Sequence, residues 1–329
     1  MGFEINNRRY IGSKASLSEW ILGSIPKKHQ TGAFFDVFAG TGVVANAASS
    51  LFDSVVVNDL LYSNEVIYRA FFGTQRFSLK RIHELTPLAL KLAKNENYFS
   101  KNFGGTYFTP DDARLIGAYR IAIDAVFPDA SDRNRSVALA SLIYSADRSA
   151  ITVGHYEAFL RKGKNRPFSF DLINPKQIKS KVYRQDANAL ARKVVSEVAY
   201  LDPPYNSRQY SRFYHVLETL TKWDDPELFG VALKPVPENI SDYCKTAAPE
   251  SLKDLVTNLD AKFILISYNN TYASKSNSSQ NKITLEQIEE IARAKGRTKI
   301  QEMPYKHFNS GNTDFKDHRE FLFTIEVRP

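Results

Sequence analysis

The chain has 329 residues, with 44 Lys+Arg against 36 Asp+Glu and a formal net charge of +8. That length suggests about two domains of roughly 100–200 residues each, or one domain carrying a large insertion. With 43% hydrophobic and 24% charged residues, a disordered or fibrous chain is excluded. The single cysteine, Cys244, excludes an internal disulfide framework and an all-cysteine zinc site. No apolar run reaches the ~18 residues of a membrane span, so the reading is a soluble protein of a reducing compartment.

Residues 33–38 form an apolar run that ends at Gly40-Thr41-Gly42, and residues 43–52 read as a helix. Residues 54–58 are a β-branched run closed by Asp59, and a helix over 62–72 can follow. Strand, glycine turn, helix, strand and acid make one βαβ unit of a parallel sheet. From about residue 75 to 180 the pattern changes to helices, predicted over 79–94, 112–127 and 135–146, with aromatic- and glycine-rich loops between them. Strands return at 196–201, 262–267 and 321–327, with an amphipathic helix over 285–294. The expected fold is α/β: a doubly wound, mostly parallel sheet with an inserted, mainly helical domain. The division is 1–74, an insertion at 75–180, and 181–329.

Charge follows the same division. Between Arg76 and Arg184 stand 19 Lys+Arg against 10 Asp+Glu, so nearly all the excess positive charge lies in the middle third. Its densest run is Arg161-Lys162-Gly163-Lys164-Asn165-Arg166. A basic helical surface alone would produce such a bias, and so would a footprint for nucleic-acid phosphates.

Two motifs carry chemistry. In Asp36-Val37-Phe38-Ala39-Gly40-Thr41-Gly42 the glycines let the backbone turn sharply and approach a ligand. Asp59, 19 residues after Gly40, stands where an acid accepts hydrogen bonds from ribose hydroxyls. A pyrophosphate would want a third glycine and no carboxylate at the mouth, and a phosphate loop would want a lysine where Val43 stands. Asp36 suits a cationic ligand instead, and S-adenosylmethionine offers a sulfonium and an ammonium. The second motif, Asp202-Pro203-Pro204-Tyr205, follows the strand at 196–201. Two prolines hold the backbone extended and remove two N–H donors. The Asp202 carboxylate, a carbonyl near Pro203 and the face of Tyr205 then suit a planar amine such as the exocyclic NH₂ of a base. Holding that amine against an electrophile is catalysis by orientation and proximity, and the base must leave its duplex to enter.

These residues resemble the Dam-like, alpha-group N6-adenine DNA methyltransferases, in that family's order and over most of the chain. The stretch Arg9-Tyr10-Ile11-Gly12-Ser13-Lys14 is similar to its N-terminal cofactor motif. The resemblance implies a Rossmann-like methyltransferase sheet with a target-recognition insertion. It implies S-adenosylmethionine held or bordered by Tyr10, Lys14, Asp36, Phe38, Gly40, Gly42, Asp59, Asp186 and Asp202. It implies catalysis by Asp202, Pro203, Pro204 and Tyr205, acting on adenine N6 in double-stranded DNA. Arg161, Lys162, Lys164, Arg166 and Arg208 are the expected DNA contacts. His215, Glu218, the Gly154-His155-Tyr156-Glu157 stretch and Ser267-Tyr268-Asn269-Asn270 also look familiar from one branch of the family, without assigned roles. His215 is expected to pack or hydrogen-bond rather than act as a base. A cognate restriction endonuclease is a candidate partner, and a monomeric enzyme of the bacterial cytoplasm is expected, with no metal and no membrane association. Two rivals are the same chemistry on RNA or another amine, and a non-catalytic DNA-binding protein of the same fold. Asp rather than Asn at position 202 argues against the first, and the intact motif argues against the second.

Overall fold

A computed structural model describes residues 2–160, 166–204, 206–270, 281–304 and 318–328. Arg161, Lys162, Lys164 and Tyr205, all expected at the site or on DNA, lie outside the described residues. The chain forms two compact units. A helical unit takes Met1–Gly12, Leu61–Ile178 and Tyr210–Glu238, and a sheet unit takes Ser13–Leu60, Lys179–Gln209 and Asn239–Pro329. The helical unit thus includes the expected 75–180 segment up to Ile178, together with the N-terminus, the helix after Leu60 and a segment beyond Gln209.

The sheet unit holds seven strands: β1 (Ala33–Asp36), β2 (Ser54–Asn58), β3 (Ser180–Tyr183), β4 (Val195–Leu201), β5 (Asp260–Asn269), β6 (Gly296–Pro304) and β7 (Arg319–Val327). Their order is β3-β2-β1-β4-β5-β7-β6. The pairings from β3 through β5 are parallel, and β7 runs antiparallel between β5 and β6. Phe35, Val37, Val56, Ala199 and Ile264 point to one face, where they pack with Leu190, Leu252, Leu255, Ile288 and Ala292 from the helices Ala187–Ala191, Ala248–Asn258 and Leu285–Lys295. Phe34 alternates to the other face and meets Phe52, which follows the helix Val43–Ala48. The chain winds from β1 toward β2 on one side and from β4 toward β5 on the other. Between β1 and β4 lies the switch point, and open α/β sheets place ligands at its carboxyl end.

Both sheet edges escape the sequence pattern. β6 is exposed along most of its length, and Arg297, Lys299, Gln301 and Glu302 give it no apolar alternation. Charged side chains on an edge strand oppose pairing with another chain, which is why the residues do not read as a strand. β3 is four residues long and only half-buried.

The helical unit contains Tyr62–Phe71, Leu79–His83, Leu85–Leu92, Tyr98–Phe103, Pro110–Val126, Arg133–Ser149, Tyr210–Phe213 and His215–Lys222. The expected helix over 79–94 divides at Glu84. Pro87 sits in the first turn of the second piece, where its missing N–H is an orphan in any case. Thr109 caps Pro110–Val126 through the Asp112 amide, with Pro110 at its first position. Asp132 caps Arg133–Ser149, which is buried on nearly all sides and forms the middle of this unit.

Candidate active site

The carboxyl ends of β1, β2 and β4 gather the sequence-predicted acids. β1 pairs with β4 so that Asp36 lies opposite Tyr200, and the Val37 amide donates to the Tyr200 carbonyl at 3.0 Å. Gly40 and Gly42 adopt φ of 51° and 76°, a left-handed conformation that costs a residue with a Cβ roughly 1–2 kcal/mol. The Gly42 amide donates back to Ala39 at 2.6 Å, closing the turn before the helix Val43–Ala48. Asp59 accepts the Gly40 amide at 3.1 Å, so the acid after β2 also fixes the glycine turn.

Asp36 is 1% exposed, and among the described residues neither carboxyl oxygen meets a donor in good hydrogen-bond geometry. Burial holds its pKa well above the usual carboxylate range; the negative charges of Asp202 and Asp59 add to the rise, and the Ala45 amide opposes it. A buried carboxyl without a partner costs stability. It is the group that a ligand ammonium would satisfy.

Asp202 follows β4 directly, with Pro203 buried and Pro204 half-buried behind it. Lys14 donates to Asp202 Oδ1 at 2.9 Å and lies 3.4 Å from Glu320 Oε1. Ser267 donates its hydroxyl to the same Glu320 oxygen at 2.7 Å. Glu320 pairs with Asn269 across β5 and β7, which places Ser267 diagonally beside it on the same face. Lys14, expected to border the cofactor, is therefore an ion-pair partner of the motif aspartate. Burial, with Asp202 next, raises the Tyr200 phenol well above its ordinary pKa.

The remaining expected residues are placed as follows. Asp186 caps the helix Ala187–Ala191 by accepting the Ala189 amide at 2.9 Å, and its side chain is exposed. Phe38 meets the Tyr243 ring edge-on at 4.9 Å. Arg208 is half-buried in the sheet unit, and its carbonyl accepts from the Cys244 thiol. In the helical unit, Tyr10 stacks on Tyr214 at 4.7 Å and Tyr210 at 5.3 Å. Ile11 is held there from both sides: its amide donates to the Tyr214 hydroxyl at 2.8 Å, and its carbonyl accepts from Tyr210 at 3.2 Å. Arg166 is exposed in that unit. His215 is buried, with its ring nitrogens 3.1 Å from the Arg212 carbonyl and 2.8 Å from the Ala232 carbonyl. Burial lowers its pKa to about 4, so it packs and hydrogen-bonds as expected.

Sequence reasoning missed Glu320, the role of Ser267, and Asn58. Asn58 donates to the Val37 and Gln185 carbonyls and accepts the Gln185 amide, tying together the ends of three strands. The available signal was a carboxylate opening the otherwise apolar run Phe321-Leu322-Phe323.

The strand order and the reversed seventh strand, with acids at the carboxyl ends of β1, β2 and β4, give the sheet a Rossmann-like methyltransferase fold. The family described as D12 class N6 adenine-specific DNA methyltransferase matches residues 10–291. Type II methyltransferase M.NlaIII of Neisseria lactamica is 29% identical over 96% of this chain and 98% of its own length. Type II methyltransferase M.CviAII of Paramecium bursaria Chlorella virus 1 is 30% identical over 80% of this chain and 84% of its own. Modification methylase LlaI of Lactococcus lactis subsp. lactis is 29% identical over 97% of this chain, which spans about half (54%) of that protein's length. The chain belongs to the D12 class of N6 adenine-specific DNA methyltransferases. Among the described residues, no helix is long and apolar enough to cross a membrane.

Proposed function

We propose that the protein transfers a methyl group from S-adenosylmethionine to N6 of an adenine flipped out of duplex DNA at a specific sequence, as the modification partner of a restriction endonuclease. The observation that carries this reading is the Asp36 carboxyl, buried beside the glycine turn with neither oxygen well hydrogen-bonded among the described residues, on the strand next to Asp202. An enclosed acid of that kind fits a cationic co-substrate and does not fit a phosphate. Asp36 would hold the ammonium, Asp59 the ribose hydroxyls and Asp186 the cofactor adenine, with Gly40, Gly42, Phe38, Tyr10 and Lys14 bordering it. When bound, the co-substrate supplies a methyl group made electrophilic by its sulfonium.

Asp202 and the Pro203 carbonyl would accept the two N–H groups of the target amine and aim its lone pair, while Tyr205 would stack on the ring. The amine needs no general base before attack, because its extra proton leaves afterwards. The segment 75–180 would carry target recognition, with Arg166 and the basic run before it on the phosphates and Arg208 as a further contact. The enzyme would act as a monomer in the cytoplasm.

The test is transfer of label from S-adenosylmethionine to unmethylated genomic DNA, with nucleoside analysis and single-molecule mapping. N6-methyladenine confined to one short motif is expected. N4-methylcytosine would overturn the base assignment, and label in RNA or protein alone would overturn the DNA reading.

A further inference from the structure

Lys14, Glu320 and Ser267 make a chain of contacts that ends on Asp202, and packing does not explain it. Three charges are drawn out of water: the side chains of Lys14, Asp202 and Glu320 are 5%, 15% and 1% exposed. Buried ion clusters return less than their desolvation costs, and apolar groups of the same volume would serve stability as well or better. The arrangement is also asymmetric. Asp202, the more open carboxylate, takes the shorter contact with the ammonium at 2.9 Å, while the sealed Glu320 stands at 3.4 Å with the Ser267 hydroxyl holding the same oxygen. One lysine therefore serves two carboxylates, and the trio carries a net charge of −1.

We propose that Glu320 is a positioning residue that sets the charge of the catalytic aspartate through Lys14, with Ser267 fixing Glu320 in place. The inference rests on the methyl-transfer reading above. As the amine nitrogen forms its bond to the methyl carbon, the carbon–sulfur pair stays on sulfur, which becomes a neutral thioether. The nitrogen acquires the positive charge and then releases one proton to water. That growing charge faces Asp202. A lysine paired with Asp202 alone would cancel the carboxylate it faces. With Glu320 sharing the ammonium, the trio keeps one negative charge for the transition state, where fixed electrostatics act most strongly. Lys14 in turn holds the carboxylate plane of Asp202 from the side of Oδ1.

The test is a charge cycle read by single-turnover methyl transfer to duplex DNA at saturating co-substrate. Glu320→Gln, which preserves shape, brings the trio to neutrality and is expected to slow transfer by about tenfold or more. Its affinities for S-adenosylhomocysteine, measured by calorimetry, and for DNA are expected to match those of the unmutated protein. Lys14→Met leaves Asp202 and Glu320 without their shared cation, near the Asp36 carboxyl and the Tyr200 phenol, so one carboxylate takes up a proton and the rate is expected to climb with pH where that of the unmutated enzyme is flat. The double variant Lys14→Met/Glu320→Gln restores a net charge of −1 and is expected to be faster than Glu320→Gln alone. A purely structural role predicts the reverse, two losses that add. A double variant no faster than Glu320→Gln, a Glu320→Gln rate equal to that of the unmutated enzyme, or a loss of S-adenosylhomocysteine affinity matching the loss of rate would each overturn the proposal. The unmutated protein separates the two readings: if it does not methylate DNA adenine, the function falls and the positioning chain with it.

Discussion

In the helical unit two buried charged side chains complete helix ends, and a third is packed between aromatic rings. Arg120, 2% exposed, donates through Nε to the Leu220 carbonyl at 2.9 Å and through Nη2 to Thr221 at 3.3 Å, finishing the helix His215–Lys222. Glu218 accepts the Tyr62 and Ser63 amides at 2.9 and 2.8 Å, capping a helix that has no side-chain cap of its own. Arg8 lies over the rings of Tyr10 and Tyr214 at 5.1 and 5.2 Å. In the sheet unit the buried acids at the strand ends are held differently. Among the described residues neither Asp36 oxygen meets a donor in good hydrogen-bond geometry, and Asp202 and Glu320 share one lysine. A buried ion that completes a helix end is there for the fold. One left unsatisfied at a strand end, or balanced against a second charge, costs the fold stability, and under the proposed function a ligand would offset that cost.

The widest separation between the two kinds of charge should come at Asp202. Asp202→Ala is expected to cost roughly a thousandfold or more in methyl transfer while S-adenosylhomocysteine binding and thermal stability persist. Near-normal turnover in that variant would remove the catalytic assignment. Asp36 should separate binding from stability in opposite directions. Its carboxyl pKa is raised, by burial first and then by Asp202, so the folded protein holds that proton more tightly than the unfolded chain. The stability it contributes is fully present below the ordinary carboxylate pKa and is lost as pH rises through the raised value. Asp36→Asn should therefore raise the melting temperature of the free protein at neutral pH and flatten its pH dependence. Co-substrate affinity should fall by about tenfold to a hundredfold, the equivalent of one charged hydrogen bond. An Asp36→Asn variant that melts lower and binds normally would make Asp36 a structural residue.

The helical unit should answer with stability alone. Glu218→Ala leaves two amides at a helix start without their acceptor and is expected to cost about 2–3 kcal/mol in denaturant unfolding, with kcat at saturating substrates unchanged in the folded fraction. His215 gives a smaller, pH-dependent effect. Its pKa is lowered to about 4, by burial first, with the Arg212 and Ala232 carbonyls opposing. Stability from keeping it neutral is fully present above the unfolded value near 6.5 and drains at up to about 1.4 kcal/mol per pH unit as pH falls toward 4. His215→Gln should remove that acid limb, which unfolding curves at pH 7 and pH 5 would reveal.

The placement of the motifs was legible because they sit at strand ends, where local sequence dictates geometry. Asp36, Gly40, Gly42, Asp59 and Asp202 fall at the carboxyl ends of β1, β2 and β4, where an α/β sheet reading puts them. Glu320 was not legible, because Lys14 and Ser267 lie 306 and 53 residues away in sequence: Ser267 meets it through the pairing of β5 with β7, and Lys14 only through the tertiary fold. The unit boundaries were hidden for a related reason. Segments at both ends of the expected insertion, Met1–Gly12 and Tyr210–Glu238, join the helices through tertiary contacts such as Glu218 on the Tyr62 amide, which no local pattern announces. The edge strands β3 and β6 lack the apolar alternation that marks strands buried on one face.

The smallest expected effect tests whether affinity and chemistry divide along the same line as the charges. The net positive charge is concentrated between Arg76 and Arg184, while the acids that would act on co-substrate and base lie in the sheet unit. If the basic run serves phosphates, Lys162→Ala/Lys164→Ala should lower DNA affinity and flatten the slope of log Kd against log salt by about 0.9 for each phosphate no longer neutralised. A side chain on a phosphate positions DNA without touching the reacting atoms, so the rate at saturating DNA should stay at the unmutated value. A rate loss that saturating DNA does not repair would mean that these lysines act on the transition state as well. The separation between a binding surface and a reacting crevice would then fail at its most basic point. An unchanged salt slope would take the run off the DNA and leave Arg166 and the other basic residues of that segment to account for the charge.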